Sequence, residues 1–128
     1  MSTRILIADD EGINRLFIKT ILTSNGWKVD EASNGQAALE LVEMHKFDII
    51  ILDVKMPVMD GKRAAAEIRS LEQRQGRTST TILGLTAYAE KELIDELMQH
   101  GMNGVIHKPI TEKALIGKIT AMLDKEER

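Results

Sequence analysis

Charged and hydroxyl side chains stand at four points of the sequence where a hydrophobic run gives way to a turn. The segment ILDVKMPVMDG, residues 51–61, places Asp53 after an apolar run and before proline and glycine. The other points hold an acidic pair, a threonine with an alanine, and a lysine with a proline: Asp9 and Asp10, Thr86 and Ala87, Lys108 and Pro109. Carboxylates bind divalent cations, and hydroxyl and ammonium groups bind phosphoryl oxygens. Whether these groups act together depends on the fold.

Short β-rich runs alternate five times with longer runs of helical periodicity. The predicted strands are Arg4–Ala8, Lys28–Ala32, Asp48–Leu52, Thr81–Leu85 and Gly104–His107. Apolar residues three and four apart predict the buried helix faces: Ile13, Leu16, Phe17 and Ile21; Ala38, Leu41 and Val42; Leu93, Ile94, Leu97 and Met98; Leu115, Ile119 and Met122.

Capping residues indicate where helices begin and end. Asp60 is predicted to cap a helix through Ser70, and Thr111 to cap the last helix, whereas Gly26 and Gly101 stand where helices should stop. The segment EQRQGRTST, residues 72–80, is predicted to be a long polar loop.

Alternating strands and helices with short connections predict one α/β domain over residues 1–128, with a doubly wound, five-stranded parallel sheet. Ligands bind such sheets at the carboxyl ends of the strands, which is where all four polar points fall. Each has a plainer explanation alone: Asp10 can cap a helix, Lys108 can be solvated and Thr86 can be a strand former. The four together indicate a site.

Composition excludes several other classes of protein. The 128 residues are 43% hydrophobic and 29% charged, which excludes a disordered chain, and no apolar run approaches the roughly 20 residues of a membrane span. Cysteine is absent, the start lacks a signal peptide, and the cations that accompany a net charge of −3 are scattered. We therefore expect a soluble, cytoplasmic protein that binds neither membrane nor nucleic acid.

Three clustered carboxylates need compensation. Two like charges about 4 Å apart repel by about 4 kcal/mol at an effective dielectric constant of roughly 20. Either one acid stays protonated, or a hard divalent cation such as Mg²⁺ or Mn²⁺ is bound by this all-oxygen set. With a cation, the site can accept a phosphoryl group: Asp53 is the natural nucleophile, and Lys108, the Thr86 hydroxyl and the Ala87 backbone N–H can bind phosphoryl oxygens.

Four segments resemble the receiver domain of two-component response regulators over nearly the whole chain. They are ILIADDEGINR, DIIILDVKMPVMDG, ILGLTAYA and GVIHKPI, in the family's order and spacing. The resemblance implies a flavodoxin-like (βα)5 fold and phosphorylation of Asp53 by a phosphohistidine of a kinase or a histidine phosphotransfer domain. Such a domain is not an enzyme in the usual sense, because it catalyses its own phosphorylation and dephosphorylation.

The resemblance also implies roles for individual residues. Asp10, Asp53 and the backbone carbonyl of Lys55 would bind Mg²⁺ directly, and Asp9 through water. Thr86 would be the switch hydroxyl. Lys108 would contact the phosphoryl group, and the family pattern implies a cis Lys108–Pro109 peptide bond.

Three positions bear on how the site is tuned. The family usually has an aromatic residue three positions before the lysine, where this chain has Val105, so this chain lacks the side chain of the usual aromatic readout. Lys55 and Tyr88 stand two residues after Asp53 and Thr86, positions that in the family tune the lifetime of the phosphoryl group. The plainer explanation is that the Lys55 and Tyr88 side chains are exposed to solvent and have no role in tuning.

A subtype is indicated by two segments, IRSLEQRQGRTSTTILGLTAYA and DDEGINR, which resemble receivers of hybrid histidine kinases that relay phosphoryl groups to a histidine phosphotransfer domain. On the first predicted helix, Ile18 and Leu22 point away from the predicted buried face, so they are a candidate docking stripe for a partner helix or simply scattered surface residues. We expect no output domain after Arg128, and phosphorylation would then control docking of a protein partner.

Other functions fit less well. A receiver that only docks without being phosphorylated is the main alternative. A Mg²⁺-dependent phosphatase with an aspartate nucleophile has a second acid where this chain has Lys55, and a flavin carrier of the same topology lacks its phosphate loop here.

Overall fold

The computed structural model describes residues 2–126, with the backbone alone for Glu126. Strands and helices alternate without exception along this part of the chain. In order they are β1 (Arg4–Ala8), α1 (Gly12–Ser24), β2 (Lys28–Ala32), α2 (Gly35–Met44), β3 (Ile49–Asp53), α3 (Gly61–Gln75), β4 (Thr81–Thr86), α4 (Lys91–Gln99), β5 (Gly104–His107) and α5 (Glu112–Glu126).

The strands form one parallel sheet in the order β2-β1-β3-β4-β5. Ala8 at the end of β1 pairs with both Ala32 and Leu52, so the carboxyl ends of β1, β2 and β3 lie level. At the other side of the sheet, Thr86 pairs with His107. The predicted doubly wound fold is confirmed, and the predicted strand bounds differ by at most one residue.

Helices cover both faces of the sheet, which explains why β3 is buried along its whole length. Helices α2, α3 and α4 pack with one face of the sheet into one hydrophobic cluster, and α1 and α5 pack with the other face into a second cluster. Among the helices of residues 2–126, none combines the length and the hydrophobicity that a membrane span needs.

The predicted buried face of α1 is wrong except at Ile21. Ile18, Ile21 and Leu22 are buried, whereas Ile13 and Leu16 are 84% and 64% exposed. Apolar residues cover more than half of the circumference of this helix, so its periodicity cannot choose the core-facing side. Packing against the sheet decides, and Ile18 and Leu22 are core residues rather than a docking stripe.

The loop predicted over residues 72–80 is also wrong in its first half, because α3 continues to Gln75 and ends at Gly76 with a left-handed backbone. Glu72 is buried in that last turn. Its carboxylate accepts hydrogen bonds from the Arg69 guanidinium (2.8 Å) and the Thr80 backbone N–H (2.8 Å). A charged residue can be buried there because both carboxylate oxygens have donors.

The predicted helix caps are confirmed. Asp60 accepts a hydrogen bond from the Arg63 N–H and Thr111 from the Ala114 N–H, while Gly26 and Gly101 follow α1 and α4 with positive φ angles. Asp10 is not a cap, because the residue that precedes α1 is Glu11.

Candidate functional site

Three acidic side chains meet at the carboxyl ends of β1 and β3. Asp9 and Asp10 follow β1, Asp53 ends β3, and one oxygen from each lies within 4.8 Å of the others. Asp9 and Asp53 are buried, whereas Asp10 is exposed. These strands are neighbours in a parallel sheet, which is why residues 43 positions apart in the sequence share one pocket.

Asp9 has an oxygen that nothing in the described part of the protein satisfies. Its Oδ1 accepts the Glu11 N–H at 2.9 Å, but its buried Oδ2 has no hydrogen-bond partner within residues 2–126. Burial raises the pKa of Asp9 to about 6, and the neighbouring charges of Asp53 and Asp10 add to the rise. A buried, unpaired carboxylate oxygen beside two further carboxylates fits a bound cation.

Asp53 is held by donors on two sides. Its Oδ2 accepts a hydrogen bond from Lys108 Nζ at 2.8 Å, and its Oδ1 accepts one from the Lys55 backbone N–H at 3.2 Å. Burial lowers the pKa of Lys108, but the hydrogen bond and the negative charge of Asp53 outweigh it, so the net shift is upward. Lys108 is therefore a cation beside the carboxylate throughout the physiological pH range.

Thr86 ends β4 and is buried on the same rim. Its hydroxyl oxygen accepts the Tyr88 backbone N–H at 3.1 Å, and its carbonyl accepts the Lys108 N–H at 2.8 Å. Ala87 follows directly in the loop, and the Lys108–Pro109 peptide bond is cis. Thr86 and Lys108 are thus linked to each other through the backbone.

The side chains of Lys55 and Tyr88 contact each other. Lys55 Nζ lies 4.9 Å from the centre of the Tyr88 ring, a cation–π distance. Val105 lies on β5, where it pairs with Gly84 of β4. It is partly buried against the hydrophobic cluster that includes α2, α3 and α4. Sequence reasoning singled out all three residues but could not find the Lys55–Tyr88 contact, because it joins two loops.

The loop after Asp53 is shaped by a close approach. A side chain at Gly61 would bring a Cβ to within 2.2 Å of the Asp53 carbonyl oxygen, so only glycine fits. Val58, within the same loop, has a φ of 70° and is 77% exposed. The Met59 N–H donates to the Pro57 carbonyl at 2.7 Å across Val58, which closes a strained three-residue turn.

Arg15 also belongs to the site's surroundings and was missed by sequence reasoning. Its guanidinium donates to the Asp9 carbonyl at 2.7 Å and lies 3.4 Å from Glu31 at the end of β2. The sequence signals it only through opposite charges: Arg15 comes soon after β1, and Glu31 lies near the end of β2.

The family model for the response regulator receiver domain matches residues 5–120. The chain belongs to that family. Receiver domains generally use Mg²⁺ at an acidic pocket, and this receiver domain has the cluster of Asp9, Asp10 and Asp53 there.

Similar proteins include a sensor histidine kinase and solved receiver structures. Over 112 residues the chain is 39% identical to the sensor histidine kinase GacS of Pseudomonas protegens, a match that covers 88% of this chain and 12% of GacS. The chemotaxis protein CheY4 of Vibrio cholerae is 30% identical with a TM-score of 0.88, over 95% of this chain and 99% of that one.

A further match comes from the co-crystal structure of the Saccharomyces cerevisiae histidine phosphotransfer signaling protein Ypd1 and the receiver domain of its downstream response regulator Ssk1. Its identity to this chain is 29% and its TM-score 0.87, over 93% of this chain and 87% of that one. This receiver domain is therefore similar both to part of a histidine kinase and to a structure that includes a histidine phosphotransfer partner.

Proposed function

We propose that this receiver domain accepts a phosphoryl group from a phosphohistidine onto Asp53 in the presence of Mg²⁺. The observation that carries the proposal is the environment of the Asp53 carboxylate. One of its oxygens is bonded to Lys108, and the carboxylate also lies within 4.8 Å of Asp9 and Asp10 oxygens. A carboxylate held in this way is a nucleophile with a cation on one side and a cation-binding acid pair on the other.

The donor set fits Mg²⁺, which prefers oxygen ligands and few carboxylates. We assign Asp10, Asp53 and the Lys55 carbonyl as direct ligands, with Asp9 acting through water. Mn²⁺ would fit the same oxygen donors. When bound, the ion would neutralise charge on the phosphoryl oxygens.

The transfer itself requires one bond to form and one to break. An oxygen of Asp53 attacks phosphorus, the P–N bond to the donor imidazole breaks, and its electron pair returns to the imidazole nitrogen. Lys108 Nζ, the Thr86 hydroxyl and the Ala87 N–H would bind the phosphoryl oxygens. The Thr86 hydroxyl oxygen accepts the Tyr88 N–H and can donate its own proton to a phosphoryl oxygen, which would couple the loop after β4 to the phosphoryl group.

Intact mass after incubation with a small phosphoramidate donor tests this function. We expect an adduct of one phosphoryl group that requires Mg²⁺ and is absent from Asp53→Asn, with Asp48→Asn as the matched control that keeps it. Asp48 is exposed and lies at the opposite, amino end of the sheet. If a folded protein that binds Mg²⁺ forms no adduct, the domain would act by docking alone.

For the phosphodonor, we propose a histidine kinase or a histidine phosphotransfer domain that docks on α1. Ile13, Leu16 and Phe17 form an exposed apolar patch on this helix. A small cavity of about 230 Å³ leads from Phe17 and Asn14 to Lys108 and the loop after β5. The patch therefore adjoins the lysine that contacts Asp53, and an apolar helix seated on it would bring a phosphohistidine to the rim.

Leu16→Ala and Phe17→Ala test the docking face. Phosphorylated Ypd1 serves as the protein donor and the phosphoramidate as the small donor. We expect the variants to slow transfer from the protein donor at least severalfold and to leave the small-donor rate unchanged. Equal slowing with both donors, or with neither, would remove α1 from the docking surface.

A further inference from the structure

Arg15 connects three elements beside the acidic pair. It lies on α1, its Nη1 donates to the carbonyl of Asp9 at 2.7 Å, and its Nε faces Glu31 Oε1 at 3.4 Å. Lys19, one turn further along the helix, bonds the second oxygen of Glu31 at 3.1 Å. The three side chains are 23% to 43% exposed, so the ion pairs with Glu31 lie at the surface, whereas the hydrogen bond from Arg15 to the Asp9 carbonyl is partly buried.

The carbonyl that Arg15 binds belongs to the peptide unit between Asp9 and Asp10. The orientation of this unit sets where the Asp10 side chain begins. Two hydrogen bonds tie the segment to α1: the Glu11 backbone N–H donates to Asp9 Oδ1 at 2.9 Å, and the Arg15 guanidinium donates to the Asp9 carbonyl. The Asp10 residue itself is exposed. The start of α1 also has no side-chain cap at Glu11. Arg15 is thus the side chain that fastens the acidic pair to the helix.

We propose that Arg15 is a positioning residue for the Mg²⁺ site, holding the Asp9–Asp10 peptide so that both carboxylates face the same point. Glu31 aligns the guanidinium, and Lys19 in turn holds Glu31. The inference rests on the proposed function, because it concerns the affinity of that same site. Groups that orient metal ligands without touching the metal typically change its affinity by roughly 10-fold or more when they are removed.

Electrostatics gives the test a clear direction. Arg15 is a cation near an acidic site, so its removal by charge alone would strengthen the binding of another cation. Positioning predicts the opposite. A weaker Mg²⁺ affinity in Arg15→Ala therefore cannot be a Coulomb effect.

The measurement is the Mg²⁺ dissociation constant of the full chain by titration calorimetry, together with the Mg²⁺ dependence of phosphorylation by the phosphoramidate. For Arg15→Ala we expect a roughly 10-fold higher dissociation constant and a similar maximal rate at saturating Mg²⁺. Arg15→Lys keeps the charge but not the fork of two donors, so we expect an intermediate value.

Arg4→Ala is the matched control. Arg4 lies at the amino end of β1 and makes a bidentate ion pair with Asp30 on β2. The acidic pocket lies at the opposite, carboxyl end of β1. We expect it to lose stability and to keep the wild-type Mg²⁺ affinity.

Two results would overturn the inference: a dissociation constant for Arg15→Ala within twofold of wild type, or tighter binding. If Arg15→Ala does not fold, Arg15→Lys and Glu31→Gln carry the same comparison, and unchanged affinity in both overturns it. A wild-type protein that neither binds Mg²⁺ nor forms the adduct would instead contradict the proposed function itself.

Discussion

Lys55 Nζ lies 4.9 Å from the centre of the Tyr88 ring, and the contact joins the loops that follow β3 and β4. The backbone N–H of Lys55 donates to Asp53, and that of Tyr88 donates to Thr86. The two side chains that contact each other therefore belong to residues that hydrogen-bond to the proposed phosphoacceptor, Asp53, and to the proposed switch residue, Thr86. We interpret the pair as one cover over the site.

The first prediction is that Lys55→Ala and Tyr88→Ala each shorten the lifetime of the aspartyl-phosphate severalfold, because either change opens the path for water. The double variant should lose little more than either single variant, since both remove the same contact. Dephosphorylation rates measured after removal of the donor check this. Lys46→Ala, an exposed lysine far from the site, is the control, and unchanged rates in both single variants would end the interpretation.

The second prediction concerns Asp9 in the metal-free protein. Its pKa is raised by burial from 3.8 to about 6 in the folded state, so the folded protein holds this proton more tightly than the unfolded chain does. Stability therefore falls as the pH rises from about 4 to about 6 and stays lower above that range, by roughly 1–3 kcal/mol.

Asp9→Asn removes this loss. We expect a higher free energy of unfolding than wild type at pH 7.5 with a chelator present, and nearly equal values below pH 4. Urea unfolding at several pH values measures the difference, with Asp95→Asn as an exposed control. A variant less stable than wild type at pH 7.5 would show that burial of the charged Asp9 carboxylate does not lower the stability of the folded protein.

The third prediction concerns Val58, a β-branched residue at a φ of 70°. Such a conformation costs on the order of 1–3 kcal/mol, and glycine adopts it freely. Val58 is 77% exposed, so its removal costs little packing. We expect Val58→Gly to raise the free energy of unfolding by about 1 kcal/mol after the loss in chain entropy.

Thermal or urea unfolding checks this against Thr78→Gly, an exposed loop position without a positive φ. The control should be destabilised by up to about 1 kcal/mol. Equal destabilisation of both variants would mean that Val58 carries no backbone strain.

The fourth prediction compares two leucines of α1. Leu22 is fully buried, so Leu22→Ala should cost about 2–5 kcal/mol of stability. Leu16 is 64% exposed, so Leu16→Ala should stay within about 0.5 kcal/mol of wild type. Denaturant unfolding of the two variants side by side measures both values. If Leu16→Ala cost more stability than Leu22→Ala, the buried face of α1 would be the one that the periodicity predicts.

Much of the site could be predicted because it depends on strand ends. In a parallel sheet, all carboxyl ends lie at one edge, so the acids after β1 and at the end of β3 share that edge, and they meet because β1 and β3 are neighbouring strands. The same logic brings Lys108 to Asp53, although 55 residues separate them. Contacts between loops, such as that of Lys55 with Tyr88, have no periodicity and could not be predicted.

The sequence by itself determined the order of strands and helices along the chain and the parallel sheet, because these follow from local patterns and from the geometry of crossover connections. The carboxyl ends of the strands then place five residues on one rim: Asp9, Asp10, Asp53, Thr86 and Lys108. Only the tertiary structure decided which side of α1 is buried. Apolar residues cover more than half of the circumference of that helix, so its local pattern does not choose the buried side. The choice depends on how the helix packs with the sheet and α5.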